Sequence, residues 1–247
     1  MIEFTMEVAG IVASVTAMFE STRTHCRDYL STKDASLRLT TTPADIALER
    51  VKSAREDALE GKPVRNLSDA YLETIALQRK LSEELFAYNT LLFHGSAVSV
   101  DDTAYLFTAK SGTGKSTHAR LWRQILGDRA VMINDDKPFL KISQTDVLAC
   151  GSPWNGKHKL GSNITVPLKA ICILQQGIDN RIHPLTAADA LPYLIQQSNR
   201  PMDPLLMPRY LELIDFLVRN VEFYQLTCNM EPQAAILSYS TMSGTPL

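Results

Sequence analysis

Residues 109–116 read Ala-Lys-Ser-Gly-Thr-Gly-Lys-Ser, the phosphate-loop pattern G-x-x-x-x-G-K-[ST] with Ala109 in place of the first glycine. Alanine is the next smallest side chain, so the departure is mild. Gly112 and Gly114 let the backbone turn N–H groups toward an anion, and a helix beginning near Lys115 adds its positive end. In such a loop Lys115 reaches the β- and γ-phosphates of ATP and the Ser116 hydroxyl ligates Mg²⁺. The expected nucleotide-binding set is Ser111, Gly112, Thr113, Gly114, Lys115, Ser116 and Thr117.

Three further groups converge on this loop. Twenty residues beyond Lys115, an apolar run ends in Asp135 and Asp136. Adjacent carboxylates at a strand end suit a metal-and-base pair, one holding Mg²⁺ and the other taking a proton from an attacking hydroxyl. His94 is expected on the strand before the loop strand. If Val-Asp-Asp-Thr at 100–103 closes a hairpin, His94 falls opposite Ala109 or Lys110, at the mouth of the loop. Finally, the polar stretch 151–163 carries Asn155, Lys157 and His158, beside Lys159 and Asn163. Such a cluster neutralises a transferring phosphoryl group or binds an acidic substrate, or is a solvated surface loop.

Positioning these residues requires strands mixed with helices. The run 91–100, the residues 101–103 and the run 104–109 are expected as strand, tight turn and strand, and 116–127 as a helix. The runs 130–134, 139–142 and 168–177 read as strands, and the three stretches 186–198, 207–220 and 231–242 as helices, with a strand at 221–227 between the last two. That alternation predicts an α/β layer arrangement. Upstream, residues 3–15 alternate like one strand, and 36–42 like another. Thr42, Pro43, Asp45 and Gly61 bracket a helix with cap, first-turn proline, first-turn acid and terminator. Leu77, Leu81, Leu85 and Tyr88 form the stripe of a second helix. Residues 1–88 are therefore expected as an α+β region packed on a catalytic core of residues 89–247.

Composition excludes several classes. The chain has 247 residues, 25 basic against 27 acidic side chains and 45% hydrophobic residues, so no bulk charge favours nucleic acid or a membrane surface. No apolar run approaches the ~20 residues of a spanning helix, and the acidic N-terminal stretch is unlike a secretory leader; a cytoplasmic location is expected. Cys26, Cys150, Cys172 and Cys228 are widely spaced and expected as free, mostly buried thiols.

The series His94-Gly95, Ser111-Gly112-Thr113-Gly114-Lys115-Ser116 and Asn134-Asp135-Asp136 resembles the catalytic domain of HPr kinase/phosphorylase, a bacterial protein-serine kinase related in fold to phosphoenolpyruvate carboxykinase. The run at 166–177 is similar to a strand of small HPr-kinase-like proteins, some of which phosphorylate peptide precursors. The resemblance covers about residues 91–176; the first 88 residues do not resemble that family's N-terminal domain. It implies a P-loop core with a mixed sheet, Asp135 as the base, Asp136 and Ser116 as Mg²⁺ ligands, Lys115 as phosphate binder and His94 as the neighbour of Asp135, with the two aspartates exchangeable. Lys157 and His158 stand where the family's phosphorylase activity needs basic residues, but no arginine accompanies them.

The leading expectation is an ATP-dependent kinase acting on a serine-type hydroxyl of a peptide, protein or small molecule, with homo-oligomerisation left open. Carboxykinase chemistry is an alternative, although carboxykinases that resemble this site are about twice as long. A nucleotide-responsive binding protein without turnover is another; the paired aspartates argue against it, since a sensor needs no base.

Overall fold

A computed structural model describes residues 1–59 and 61–247. Chain contacts divide it into two units, Met1–Leu85 and Phe86–Leu247.

The N-terminal unit opens with β1 (Ile2–Val8) and β2 (Ile11–Ala17), an antiparallel hairpin whose register runs from Ile2 opposite Ala17 to Val8 opposite Ile11. The expected single strand over 3–15 is thus two strands. Ala9 and Gly10, at φ 53° and 73°, form a two-residue turn with both residues left-handed, the backbone that matches hairpin twist. Two small residues give no polar turn signal, so the alternation reads straight through them. Helix α1 (Glu20–His25) follows, then β3 (Leu37–Thr40), parallel to β2, then α2 (Pro43–Leu59) and α3 (Asp69–Leu85). Pro43 is the first helical residue as expected. Thr42 and Asp45 cap one another reciprocally: Asp45 N donates to Thr42 Oγ1 at 3.3 Å and Thr42 N to an Asp45 carboxylate oxygen at 3.0 Å. Glu60, inside the stretch read as helix, lies outside the described residues. Leu77, Leu81 and Leu85 are buried as the stripe requires.

The C-terminal unit is mixed α/β. Its elements are β4 (Thr90–Leu92), β5 (Ser96–Val100), β6 (Thr103–Thr108), α4 (Lys115–Leu126), β7 (Ala130–Asn134), β8 (Phe139–Ile142), β9 (Val147–Cys150), β10 (Thr165–Gln176), β11 (Arg181–Pro184), α5 (Ala187–Gln197), α6 (Met207–Asn220), β12 (Glu222–Cys228) and α7 (Pro232–Ser243). The sheet runs β4-β8-β9-β10-β6-β5-β7, and β12 joins the C-terminal half of β10, with β11 beyond it. Strands β9 and β11 carry no sequence signal; both have four residues, too short for a period to declare itself.

Alternation along β6 sends Ala104 and Leu106 to one face, with Leu194, Leu213 and Leu217 of α5 and α6, and Tyr105 and Phe107 to the other, with Trp122, Tyr239 and Met242 of α4 and α7. The sheet is therefore covered on both faces. Trp122 is fully buried, its ring centroid 5.0 Å from Tyr105, 5.1 Å from Phe107 and 5.3 Å from Tyr239, and its indole N–H donates to Ser238 on α7. This aromatic group anchors α4, and with it the loop that precedes it. Among the described residues no helix is long and apolar enough to cross a membrane.

Candidate active site

Strand β6 ends at Thr108 and α4 starts at Lys115, so the loop 109–114 spans a strand end and a helix start. Gly112 and Gly114 have φ of 81° and 116°, a region closed to most side chains, and Gly114 caps α4 without a side-chain hydrogen bond. The first-turn N–H groups of α4 therefore have no side-chain acceptor from their cap. Lys115 is 8% exposed, and its Nζ donates to the carbonyls of Ala109 at 3.0 Å and Lys110 at 3.4 Å. Burial lowers its pKa, with Asp136 acting in the opposite sense. A half-desolvated cation resting on neutral carbonyls is what a phosphate would complete. Ser111 and Gly112 are exposed, while Thr113, Ser116 and Thr117 are half-buried.

The acidic turn is held from within. Asn134 is fully buried at the end of β7; its Oδ1 accepts from the N–H groups of Asp136 at 2.8 Å and Lys137 at 2.6 Å, and its Nδ2 donates to the carbonyl and hydroxyl of Ser152, both at 3.0 Å. Ser152 Oγ in turn donates to Lys137 O at 2.6 Å. Asp135 is 4% exposed and accepts a 2.5 Å hydrogen bond from Ser96 Oγ. Asp136 is half-buried, and burial raises its pKa against the pull of Lys137 and Lys115. A solvated acidic turn would show none of this internal bracing.

His94 does not sit on a strand. It occupies, with Gly95, the break between β4, which pairs with β8, and β5, which pairs with β6 and β7. Any Cβ on Gly95 would lie 2.7 Å from Leu106 Cδ2 and 2.9 Å from Phe107 O, so only glycine lets the chain cross β6 there. The hairpin register runs from Ser96 opposite Phe107 to Val100 opposite Thr103 and stops short of His94, whose carbonyl accepts from Thr108 Oγ1 at 2.9 Å while its N–H donates to Gln197 O.

The imidazole lies between two elements. Nδ1 donates to Gln197 Oε1 at 2.8 Å, and Nε2 lies 3.5 Å from Asp136 Oδ1. The resemblance led to Asp135 as its neighbour; the carboxylate beside the imidazole is Asp136, because Asp135 turns inward to Ser96. Burial, with Lys137 and Lys115, pushes the His94 pKa down to about 4, so the ring is neutral at pH 7. With its proton on Nδ1, Nε2 turns a lone pair toward a carboxylate, and two electron-rich groups at that distance call for a proton or a cation between them.

The loop 151–163 is pinned along β7 by Ser162 N donating to Ile133 O at 3.1 Å and by a bridge between Asn134 and Gly161. It passes the acidic turn at Gly156, where a Cβ would stand 3.3 Å from Asp135 O. Lys157 and His158 are exposed and make no polar contact with the described residues, whereas Asn155 is half-buried, its Oδ1 enclosed without a hydrogen-bond partner. The three residues expected as an acceptor-binding cluster are therefore split between a buried amide and two solvated side chains.

Beside the 109–114 loop lies a cavity of about 580 Å³, lined by residues 108–113, by 173–176 at the end of β10, and by Tyr193, Gln196 and Gln197 of α5. Gln176 Nε2 donates to Thr113 O at 3.3 Å across it. The sequence does not announce Ser96, Ser152 or Gln197; Asn134 stands in the motif with the two aspartates, but its bracing role, an Asn side chain capturing the N–H two residues on, shows only in the structure.

No protein-family model matches the sequence, and no curated protein matches it. Comparison with solved structures finds the Hpr(Ser) kinase/phosphatase from Coxiella burnetii, at 9% identity and a TM-score of 0.35, with 62% of this chain and 93% of that one covered. A likeness of that size does not by itself assign an activity.

Proposed function

We propose that the chain is an ATP-dependent phosphotransferase of the HPr-kinase-like kind, moving the γ-phosphoryl group to a serine-type hydroxyl of a peptide, protein or small molecule. The observation that carries this is the pairing of a desolvated Lys115 in a glycine loop with an internally braced carboxylate pair within its electrostatic reach. Phosphoryl transfer asks mainly for alignment and charge neutralisation, which these groups supply.

The loop N–H groups and Lys115 hold the β- and γ-phosphates. The acceptor oxygen attacks phosphorus, the bond to the bridging oxygen breaks, ADP leaves and a carboxylate takes the acceptor's proton. Access separates the two carboxylates. Asp135 is enclosed and bound to Ser96, while Asp136 is the more open and has the raised pKa. Asp136 is thus the better placed to receive the proton, the reverse of what the resemblance implies. Ser116 and an aspartate oxygen would be the ligands of a divalent cation, which when bound would neutralise charge on the transferring group, although among the described residues no group of three His, Cys, Asp or Glu side chains stands ready to hold one.

The test is transfer of labelled γ-phosphate to free serine, serine peptides and HPr. Asp136→Asn is expected to lower turnover by about a hundredfold or more with ATP binding retained, and Lys115→Ala to lose ATP binding. Full turnover in Asp136→Asn with loss in Asp135→Asn would restore Asp135 as the base. ATP binding with no transfer to any acceptor would instead mark a binding protein without turnover.

A further inference from the structure

One cation beside the carboxylates, Lys137, is unused by the chemistry above. Strands β4 and β8 pair with Leu92 opposite Phe139, and β5 and β7 with Ala97 opposite Asn134, which is the same register. Two backbone bonds carry that register across the gap between the pairs: Gly95 N donates to Asp136 O and Phe93 N to Pro138 O, each at 3.0 Å. Residues 90–97 and 134–141 thus run side by side as one ribbon. Across the gap Ser96 faces Asp135, Gly95 faces Asp136, and His94 faces Lys137. The first of these pairs is the hydrogen bond already described. The last sets an ammonium-bearing side chain against the imidazole.

The backbone of Lys137 is fixed from both sides. Its N–H donates to Asn134 Oδ1 and its carbonyl accepts from Ser152 Oγ, both at 2.6 Å, and Pro138 stiffens the chain after it. The side chain is half-buried, and no ion pair or hydrogen bond holds its ammonium among the described residues. Behind burial, its charge is among the causes that lower the pKa of His94 and of Lys115, and it opposes the burial that raises that of Asp136. A lysine serving only to neutralise Asp136 would close on it as an ion pair; a single ammonium on a braced backbone is open to an incoming anion. In-line transfer puts the attacking and leaving oxygens on opposite sides of phosphorus. Lys115 and the loop N–H groups serve the leaving side. Lys137 directly follows Asp136, the residue placed to take the acceptor's proton, and so belongs to the attacking side. Lys157 and His158, the cations expected for an acidic acceptor, stand in solvent instead.

We propose that Lys137 determines acceptor specificity: its ammonium receives an anionic group, carboxylate or phosphate, that the acceptor carries beside its hydroxyl, so that charged hydroxyl compounds are preferred over neutral ones of similar shape. The inference rests on the proposed phosphoryl transfer, and the experiment separates the two. Transfer of labelled γ-phosphate from Mg-ATP by the full chain is measured with matched acceptors: glycerol against glycerate and glycerol 3-phosphate, and serine peptides that carry Asn or Asp after the serine. Wild type is expected to favour the charged members about tenfold in kcat/KM, the worth of one charge-assisted hydrogen bond. Preference for either anion supports the assignment, and the larger of the two names the group. Lys137→Gln should bring the charged-to-neutral ratio near one, through a raised KM for the charged acceptors, and Lys137→Arg should keep it. Equal kcat/KM for charged and neutral acceptors in wild type would overturn the assignment and leave the kinase reading standing. So would a Lys137→Gln variant that loses turnover on both kinds alike, since the ammonium would then serve the transferring phosphoryl group. ATP binding by wild type without transfer to any acceptor would remove the proposed function, and this inference with it.

Discussion

In the N-terminal unit Glu73 is fully buried, and its two oxygens accept hydrogen bonds from Met18 N, Phe19 N, Thr41 Oγ1 and Thr22 Oγ1. In the C-terminal unit Lys115 is nearly as buried, yet rests on two carbonyls, and Asp136 faces the lone pair of a neutral histidine. The N-terminal unit fills its other buried charges in the same way. Arg79 is matched by Glu49 at 2.5 Å and Asp45 at 2.9 Å, with Lys80 on the second Asp45 oxygen at 3.1 Å, and buried Asp57 is gripped by Arg65. Buried charge whose valences are filled holds structure together. Buried charge left short of partners marks a place that something else must complete.

That contrast is open to direct attack. The largest effect is expected at Glu73→Gln, where an amide presents a donor to groups that are themselves donors. The cost should be about 3 kcal/mol of stability, read by denaturant unfolding. The matching change Asp136→Asn should stay within about 1 kcal/mol of wild type, since its charge is under-compensated. Comparable losses in both would erase the distinction.

Acid should separate the units next. His118, buried on α4 with Nε2 on Ser238, has its pKa pushed down to about 4 by burial. Below the unfolded value of about 6.5 the unfolded chain takes up a proton that folded His118 refuses, so stability is lost as pH falls from about 6.5 toward 4 and levels off below. Asp45 and Asp57, whose hydrogen bonds hold their pKa values below the usual 3.8 despite opposing burial, keep their contribution until the pH drops beneath that value. Hydrogen exchange at pH 5 should therefore show protection falling in the C-terminal unit first, with His118→Gln flattening the dependence. Smallest is Thr42→Ala, which removes one partner from the Asp45 cluster and the cap of α2. It should cost about 1 kcal/mol, measured by thermal unfolding.

What could be read in advance followed range along the chain. The helix start at Lys115, the first-turn proline of α2 and the tight turn that joins β5 to β6 all depend on residues within a turn or one hairpin of each other. The hairpin turn at Ala9 and Gly10 was equally local but carried no distinguishing residue type. The surroundings of the site were not legible. Ser96 meets Asp135 across 39 residues and Gln197 meets His94 across 103, and neither serine nor glutamine is rare enough to announce such a role.

The sequence by itself determined the loop, its lysine and hydroxyls, and the strand that ends in two aspartates, because backbone freedom at glycine and apolar periodicity act over a few residues. The tertiary structure alone decided that Asp135 turns inward while Asp136 meets His94, that Lys157 and His158 stay in solvent, and that a cavity opens where β10 outruns β6. Those outcomes depend on desolvation and on hydrogen-bond partners supplied by distant segments, and neither exists until the sheet has closed around them.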